Sequence, residues 1–242
     1  MQELSANTQK TYGSYIKKFR AFLDGREPSL ELAVAFLDGM KEGGAARNTI
    51  GVAGRAIRNE FSIQVPVPTI EMSEPRYLTL DQVKHLINKS PTLLEKTLIT
   101  VLFSSACRIS EILNLTMDDL ELDKGVATVT RKGGRRERIA LGGEGKEALR
   151  TWLAARKSRS KRVFMDYTYG DMYIRLKKLA RKAGIPEFTA HRLRHSRIRH
   201  LLDGGITIEA VGEVAGHSKL DTTRLLYGRL RAEDRARYLL GF

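Results

Sequence analysis

Residues 106–112 read Ala-Cys-Arg-Ile-Ser-Glu-Ile and place an arginine at the start of a predicted helix. The preceding run, residues 97–107, is uncharged and apolar, which predicts a buried helix directly before this one. A charge beside a buried helix is costly unless it is paired or has a function. Glu111 follows one helical turn after Arg108, so a salt bridge between the two is the simplest interpretation of this stretch alone.

Two short strands are predicted downstream, over residues 126–130 and 137–141. The turn between them, residues 131–136, is basic and contains two glycines, and Lys132 lies at its tip. Basic hairpins are common solvated features. A hairpin tip can also enter a DNA groove, where lysine or arginine contacts phosphates or base edges.

Further along, His191, Arg194 and His195 share one face of a predicted helix, at positions i, i+3 and i+4. Histidines at i and i+4 can bind zinc, but the intervening glutamate of zinc motifs is missing and the neighbouring cations would crowd a metal. A face that binds phosphate suits these donors better.

The last motif lies near the C-terminal end. Residues 216–218 are Gly-His-Ser, residues 222–223 are Thr-Thr, and Tyr227 follows. Taken alone, Tyr227 fits a half-buried packing tyrosine. Four residues, 239–242, then form an apolar end on a charged stem, and such an end needs a surface to cover it.

The charge of the chain predicts a polyanionic partner, above all nucleic acid. Its 242 residues carry 42 Lys and Arg against 28 Asp and Glu, a net charge of +14. Residues 1–76 contribute 10 basic and 9 acidic side chains, whereas residues 77–242 contribute 32 and 19. The predicted nucleic-acid surface therefore belongs mainly to the C-terminal part.

Composition also excludes several classes of protein. A single cysteine rules out a disulfide-stapled secreted domain. The longest uncharged apolar-leaning run has 11 residues, whereas a membrane span needs about 20. The N-terminus lacks a basic start followed by an apolar core, so no secretory signal is predicted. A cytoplasmic location is the expectation.

Prolines at positions 66, 68 and 75 predict an extended linker over residues 65–76. Before it, residues 1–64 show three stretches of helical periodicity, although Gly51 and Gly54 weaken the third. After it, residues 77–242 begin with a capping box formed by Thr79 and Gln82. The sequence thus predicts a small helical domain, a linker and a larger domain.

Taken in order, these motifs resemble those of the tyrosine recombinases, the phage-integrase and Xer-type family of site-specific DNA recombinases. The resemblance covers the whole chain and is strongest from Leu78 to Tyr227. It implies a mainly α fold with a small antiparallel β-sheet. It also implies a helical core-binding domain over residues 1–64 and a catalytic domain over residues 77–242. The catalytic residues that it implies are Arg108, Lys132, His191, Arg194, His217 and the nucleophile Tyr227.

These residue types also suit the chemistry. Attack of a tyrosine on a DNA phosphodiester builds negative charge on phosphorus, which Arg108 and Arg194 can stabilise with bidentate forks. His217 adds a donor, Lys132 protonates the leaving 5′ oxygen, and His191 accepts the proton of Tyr227. The covalent 3′-phosphotyrosyl link stores the phosphodiester energy, so no metal, ATP or other cofactor is expected.

One spacing departs from the family pattern, because Tyr227 lies one residue further from His217 than is usual. One extra helical residue corresponds to about 1.5 Å and about 100°. Three explanations stay open: a loop before the helix absorbs the residue, the tyrosine segment moves, or Tyr227 serves a neighbouring subunit. Tyr238 is the only later tyrosine, and its apolar context indicates packing.

The resemblance implies double-stranded DNA as the partner and a homotetramer assembled on DNA, linked through the C-terminal segment. Two other functions stay open. One is a non-catalytic DNA-binding protein of the same fold, which the longer spacing favours. The other is a topoisomerase-like enzyme that nicks and closes DNA strands.

Overall fold

The computed structural model describes residue 4 and residues 6–68, 77–131, 133–165 and 167–216. Its contacts divide the chain into a first unit, Met1–Ser73, and a second unit, Glu74–Phe242. Within the described residues, the first unit contains the helices α1 (Ala6–Leu23), α2 (Leu30–Glu42) and α3 (Arg47–Phe61). These correspond to the three helices predicted from periodicity.

Aromatic packing holds the first unit together. Phe19 of α1 is fully buried, and its ring centroid lies 5.2 Å from that of Phe36 and 5.5 Å from that of Phe61. Ser29 begins α2, because its hydroxyl accepts a hydrogen bond from the backbone N–H of Leu32. The apolar faces of the three helices therefore meet in one small core.

The segment that follows α3 packs back onto it. Val65 is fully buried in the core of the first unit, and its carbonyl accepts a hydrogen bond from Arg58 Nε at 2.7 Å. Burying Val65 removes apolar surface from water, so the chain stays packed on the first unit at this point. The domain bounds, with a linker over residues 65–76, stay a prediction. A Cβ atom at Gly54 would lie 2.4 Å from Val67 Cγ1, so this glycine makes room for the returning chain.

The second unit contains seven helices among its described residues. These are α4 (Leu80–Lys89), α5 (Leu93–Ser105), α6 (Ile109–Leu113), α7 (Gly143–Ala155), α8 (Tyr169–Lys182), α9 (Ala190–Asp203) and α10 (Ile208–Ala215). The predicted capping box is present at the start of α4, where Thr79 and Gln82 satisfy each other's backbone N–H groups. Two short 3-10 turns, Met117–Asp119 and Leu122–Lys124, follow α6.

Helix α5 lies at the centre of the second unit and is buried over most of its length. It packs against α4, α7 and α9. The contact with α7 is close, because a Cβ atom at Gly145 would lie 2.2 Å from Ser104 Oγ. Burial on all sides explains why the sequence of α5 is apolar without a polar face.

A three-stranded antiparallel sheet accompanies these helices. Its strands are β1 (Leu120–Glu121), β2 (Val126–Thr130) and β3 (Arg136–Ala140), in the order β1-β2-β3. The mainly α fold with a small antiparallel sheet is confirmed. The two predicted strands are present, with β3 one residue earlier than predicted, whereas β1 was missed because two residues show no alternation.

None of the described helices combines the length and the apolar character needed to cross a membrane.

Candidate active site

Arg108 lies at the N-terminal end of α6, immediately after the turn that ends α5. Its Nη1 donates to Glu111 Oε1 at 2.9 Å, and its backbone N–H donates to Glu111 Oε2 at 2.9 Å. The predicted salt bridge with Glu111 is therefore present. The side chain of Arg108 nevertheless stays 41% exposed, whereas that of Glu111 is 4% exposed. A buried carboxylate thus anchors a guanidinium that still faces outward.

Arg194 is the largest fully buried side chain among the described residues. On α9, its Nη1 donates to the carbonyl of Ala106 at 2.8 Å and its Nη2 to that of Ala215 at 2.7 Å. These carbonyls belong to the ends of α5 and α10, where helices leave acceptors without intrahelical partners. In the described part of the chain, no carboxylate forms an ion pair with Arg194.

The two arginines lie close enough to influence each other. Burial, followed by the positive charge of Arg108, lowers the pKa of Arg194 from its usual range to about 10. Arg194 therefore stays protonated at neutral pH, although its charge is costly. Two adjacent guanidinium groups, one of them buried, form a pre-arranged site for an anion such as phosphate.

His191 lies one turn before Arg194 on α9. The helix begins after Thr189, whose hydroxyl accepts a hydrogen bond from the backbone N–H of Arg192 at 2.9 Å. Partial desolvation of the ring, followed by the charges of Arg194 and Arg108, lowers the pKa of His191 from 6.5. The imidazole is therefore mostly neutral at pH 7 and is able to accept a proton.

The ring centroids of His191 and His195 lie 4.3 Å apart, in an edge-to-face arrangement. The described residues contain no group of three or more His, Cys, Asp or Glu side chains able to hold a metal ion.

One cavity of about 360 Å³ brings Arg108, His191 and Arg194 together. Sequence reasoning missed its remaining wall, which is largely aromatic and apolar. That wall includes Tyr169, Tyr173, Leu176, Lys177 and Phe188. Tyr169 and Tyr173 are about half exposed and their ring centroids lie 6.2 Å apart. Their spacing of four residues beside a lysine was the signal in the sequence that could have found them.

The other three predicted site residues, Lys132, His217 and Tyr227, lie outside the described residues. The structure does describe the residues next to two of them. Arg131 and Gly133 flank Lys132 in the turn between β2 and β3, and Gly216 directly precedes His217.

Sequence reasoning also missed Arg131, which it assigned to a solvated basic turn. Its side chain is only 4% exposed and forms ion pairs with Glu111 at 2.7 Å and with Glu137 at 2.9 Å. A sequence contains no local signal for this burial, because Glu111 lies 20 residues away.

Comparison with known proteins identifies the family to which the chain belongs. The phage integrase family model matches residues 76–233 of the chain. Tyrosine recombinase XerA of Thermococcus kodakarensis is 27% identical over 240 residues, which cover 91% of this chain and 84% of that protein. Tyrosine recombinase XerD of Halalkalibacterium halodurans is 28% identical over 259 residues, which cover 92% of this chain and 87% of that protein.

Solved structures show the same fold. The structure of the Tn1549 transposon integrase in complex with transposon right end DNA has a TM-score of 0.81 at 19% identity. The match covers 100% of this chain and 95% of the integrase chain. A crystal structure of XerA recombinase has a TM-score of 0.62 at 21% identity. This match covers 99% of this chain and 94% of the XerA chain. The family model matches well over half of the chain, within the part where the cavity lies. The chain therefore belongs to the phage integrase family, the tyrosine recombinases.

Proposed function

We propose that this protein is a site-specific DNA recombinase that breaks and rejoins strands through a 3′-phosphotyrosyl intermediate. The observation that carries the proposal is the cavity in which Arg108, Arg194 and His191 converge. In a transition state with five-coordinate phosphorus, the two guanidinium groups stabilise the charge on the non-bridging oxygens. Arg194 stays protonated at neutral pH in spite of its burial, so its charge is already in place before the reaction begins.

The reaction needs two proton transfers beside this anion site. The Tyr227 oxygen attacks phosphorus while neutral His191 accepts the phenol proton. The bond from phosphorus to the 5′ oxygen breaks, and Lys132 donates a proton to that oxygen. His217 adds a hydrogen bond to a non-bridging oxygen. Attack by a 5′ hydroxyl from another strand reverses the step and releases Tyr227. The roles of Lys132, His217 and Tyr227 rest on the sequence motifs.

Double-stranded DNA is the substrate that the charge and the relatives support. The basic excess lies in residues 77–242, and structural neighbours include a Tn1549 integrase bound to transposon DNA and a lambda integrase dimer bound to a core site. On DNA we expect a homotetramer. The cytoplasmic location stays a prediction.

The test is to detect a covalent adduct. The protein is incubated in EDTA with a pool of random-sequence duplexes, and the DNA attached to a protease-resistant phosphotyrosine is sequenced. We expect an adduct at one recurrent sequence. Binding without an adduct would instead indicate a non-catalytic DNA-binding protein. Relaxation of supercoiled DNA without strand exchange would indicate a topoisomerase-like enzyme.

Adduct formation is expected to slow as the pH falls below about 6.5, the ordinary pKa of histidine. The folded pKa of His191 is lower than this value, so the decline follows protonation of its imidazole, which then accepts no proton. The single-turnover rate on the selected duplex is measured from pH 8 downward. In His191→Asn the rate is lower at pH 8 and this decline is absent. Identical pH profiles in the two proteins would show that His191 is not the base.

Deleting residues 239–242 is expected to leave binding to a single site nearly unchanged but to weaken synaptic complexes and strand exchange. Leu239, Leu240 and Phe242 form an apolar end, and we propose that it covers a surface on a neighbouring protomer. Gel shifts with one site and with two sites measure the two effects. Unfolding of the truncated protein, or normal synapsis by it, would show that the end packs on its own domain.

A further inference from the structure

Arg131 occupies an unusual position for a residue of a hairpin turn. Its backbone N–H donates to the carbonyl of Arg135 at 2.8 Å, which closes the turn between β2 and β3. Its side chain, however, does not extend into solvent as those of Arg135 and Arg136 do. It is 4% exposed, whereas the side chain of Arg135 is 63% exposed. The turn that carries Lys132 is therefore fastened to the protein interior by the preceding residue.

Two carboxylates hold this guanidinium from different directions. Arg131 Nη1 donates to Glu111 Oε2 at 2.7 Å, and Nη2 donates to Glu137 Oε1 at 2.9 Å. Glu111 also binds Arg108, through both the guanidinium and the backbone N–H. One buried carboxylate is thus shared by Arg108 and Arg131. Any displacement of Arg131 therefore changes the environment of Glu111, the carboxylate that orients Arg108.

The third neighbour of Arg131 is the glycine that ends α10. A Cβ atom at Gly216 would lie 2.3 Å from Arg131 Cζ and 2.5 Å from Nη2, so the guanidinium lies directly against this backbone. Gly216 has φ of +62°, which also favours glycine. The guanidinium cannot easily move aside, because both of its carboxylate partners hold it. His217 follows Gly216 in the sequence.

The charge of Arg131 is stable in this environment. Burial opposes the charged form, but the hydrogen bond with Glu137 and the charges of Glu111 and Glu137 raise its pKa overall. The planar fork of arginine is able to bind two carboxylates at fixed angles, which a lysine ammonium does not reproduce. The two ion pairs of Arg131 therefore connect the turn to Glu111 and Glu137 with a defined geometry.

We propose that Arg131 is a positioning residue for DNA cleavage that holds the Lys132 turn in register with the Arg108 helix and with the Gly216 end of α10. The inference rests on the proposed function, in which Lys132 is the general acid. With only 4% of its side chain exposed, Arg131 is not placed to bind DNA and acts through its neighbours. It acts by bringing the segments of three predicted catalytic residues, Arg108, Lys132 and His217, into one arrangement.

The experiment uses the full-length protein and two duplexes that carry the cleaved sequence. One has an ordinary scissile phosphate, and the other has sulfur in place of the 5′ bridging oxygen. A thiolate leaves without protonation, so the second substrate needs no general acid. The variants are Arg131→Met, which removes the charge at similar size, and Arg131→Lys, which keeps the charge without the fork. Lys132→Ala shows the result expected for a lost acid.

We expect Arg131→Met to cleave the ordinary substrate about 100-fold more slowly than the wild type, as a small displacement of a catalytic group does. On the sulfur substrate the loss is expected to be clearly smaller, because sulfur bypasses the part of the loss that acts through Lys132 and leaves only the part that acts through Arg108 and Glu111. Arg131→Lys should show the same pattern with a smaller loss. The matched control is Arg135→Met. Arg135 is an exposed arginine in the same turn, and it also pairs with Glu137. It should leave the ratio of the two rates unchanged.

Two results would overturn the inference: equal losses on both substrates, which indicate a purely structural role, or normal rates on both. Thermal melting identifies a Met variant that does not fold, and the Lys variant then decides between these results. Failure of sulfur to rescue Lys132→Ala would remove the proposed acid and the inference with it. Absence of any adduct with the wild type would instead refute the proposed function.

Discussion

Replacing Tyr227 with phenylalanine is expected to abolish the covalent protein–DNA adduct while DNA binding persists. The substitution removes the single oxygen that attacks phosphorus and leaves size and charge nearly unchanged. We expect no adduct above background in a denaturing gel, with an unchanged dissociation constant in a gel shift on the same duplex. This is the largest effect expected of any single substitution, because no other group replaces the nucleophile.

The matched control is Tyr238→Phe, which makes the same chemical change at the only later tyrosine. It should form the adduct at the wild-type rate. If Tyr227→Phe still forms an adduct and Tyr238→Phe does not, the nucleophile is Tyr238.

Mixing Tyr227→Phe with a variant that lacks Arg194 distinguishes cis from trans attack. Only attack in trans restores cleavage in the mixture, because one protomer then supplies the tyrosine and the other supplies the arginine.

Replacing Arg108 or Arg194 with alanine is expected to slow cleavage about 10²–10³-fold each, the usual cost of losing one pre-arranged donor to a developing oxyanion. Arg194→Ala also leaves the carbonyls of Ala106 and Ala215 without their donor. An unsatisfied buried acceptor costs about 1–3 kcal/mol, so this variant is also expected to melt at a lower temperature. Single-turnover cleavage and thermal melting separate the two effects.

Conservative variants and a distant arginine serve as controls. Arg194→Lys keeps the charge but loses the fork, and we expect it to recover stability more than activity. Arg150 pairs with Asp123 and Glu147 on the surface of the second unit, so Arg150→Ala should cleave normally. Near-normal cleavage by both Arg108→Ala and Arg194→Ala would refute the two-arginine site.

Local sequence signals predicted most elements of the fold. Thr79 begins α4 as expected, because a hydroxyl that accepts a nearby backbone N–H is a local interaction. The apolar run before Arg108 predicted the buried helix α5, which ends at Ser105. Strand β1 was missed, since its two residues are defined by pairing with β2 rather than by their own pattern. Burial of Val65 likewise depends on α3 and not on the prolines beside it.

For the candidate site, the sequence alone determined which residues share a helix face. His191 and Arg194 are neighbours because the helical repeat makes them so. Only the tertiary structure brought Arg194 to the carbonyl of Ala106, 88 residues away, and so placed it near Arg108 in one cavity. It also decided that Arg131 is buried between Glu111 and Glu137, where its residue type and the turn indicated a solvated position. The physical reason is that periodicity records how a segment orients its own side chains. The burial of a charge is decided by the partners that distant segments supply.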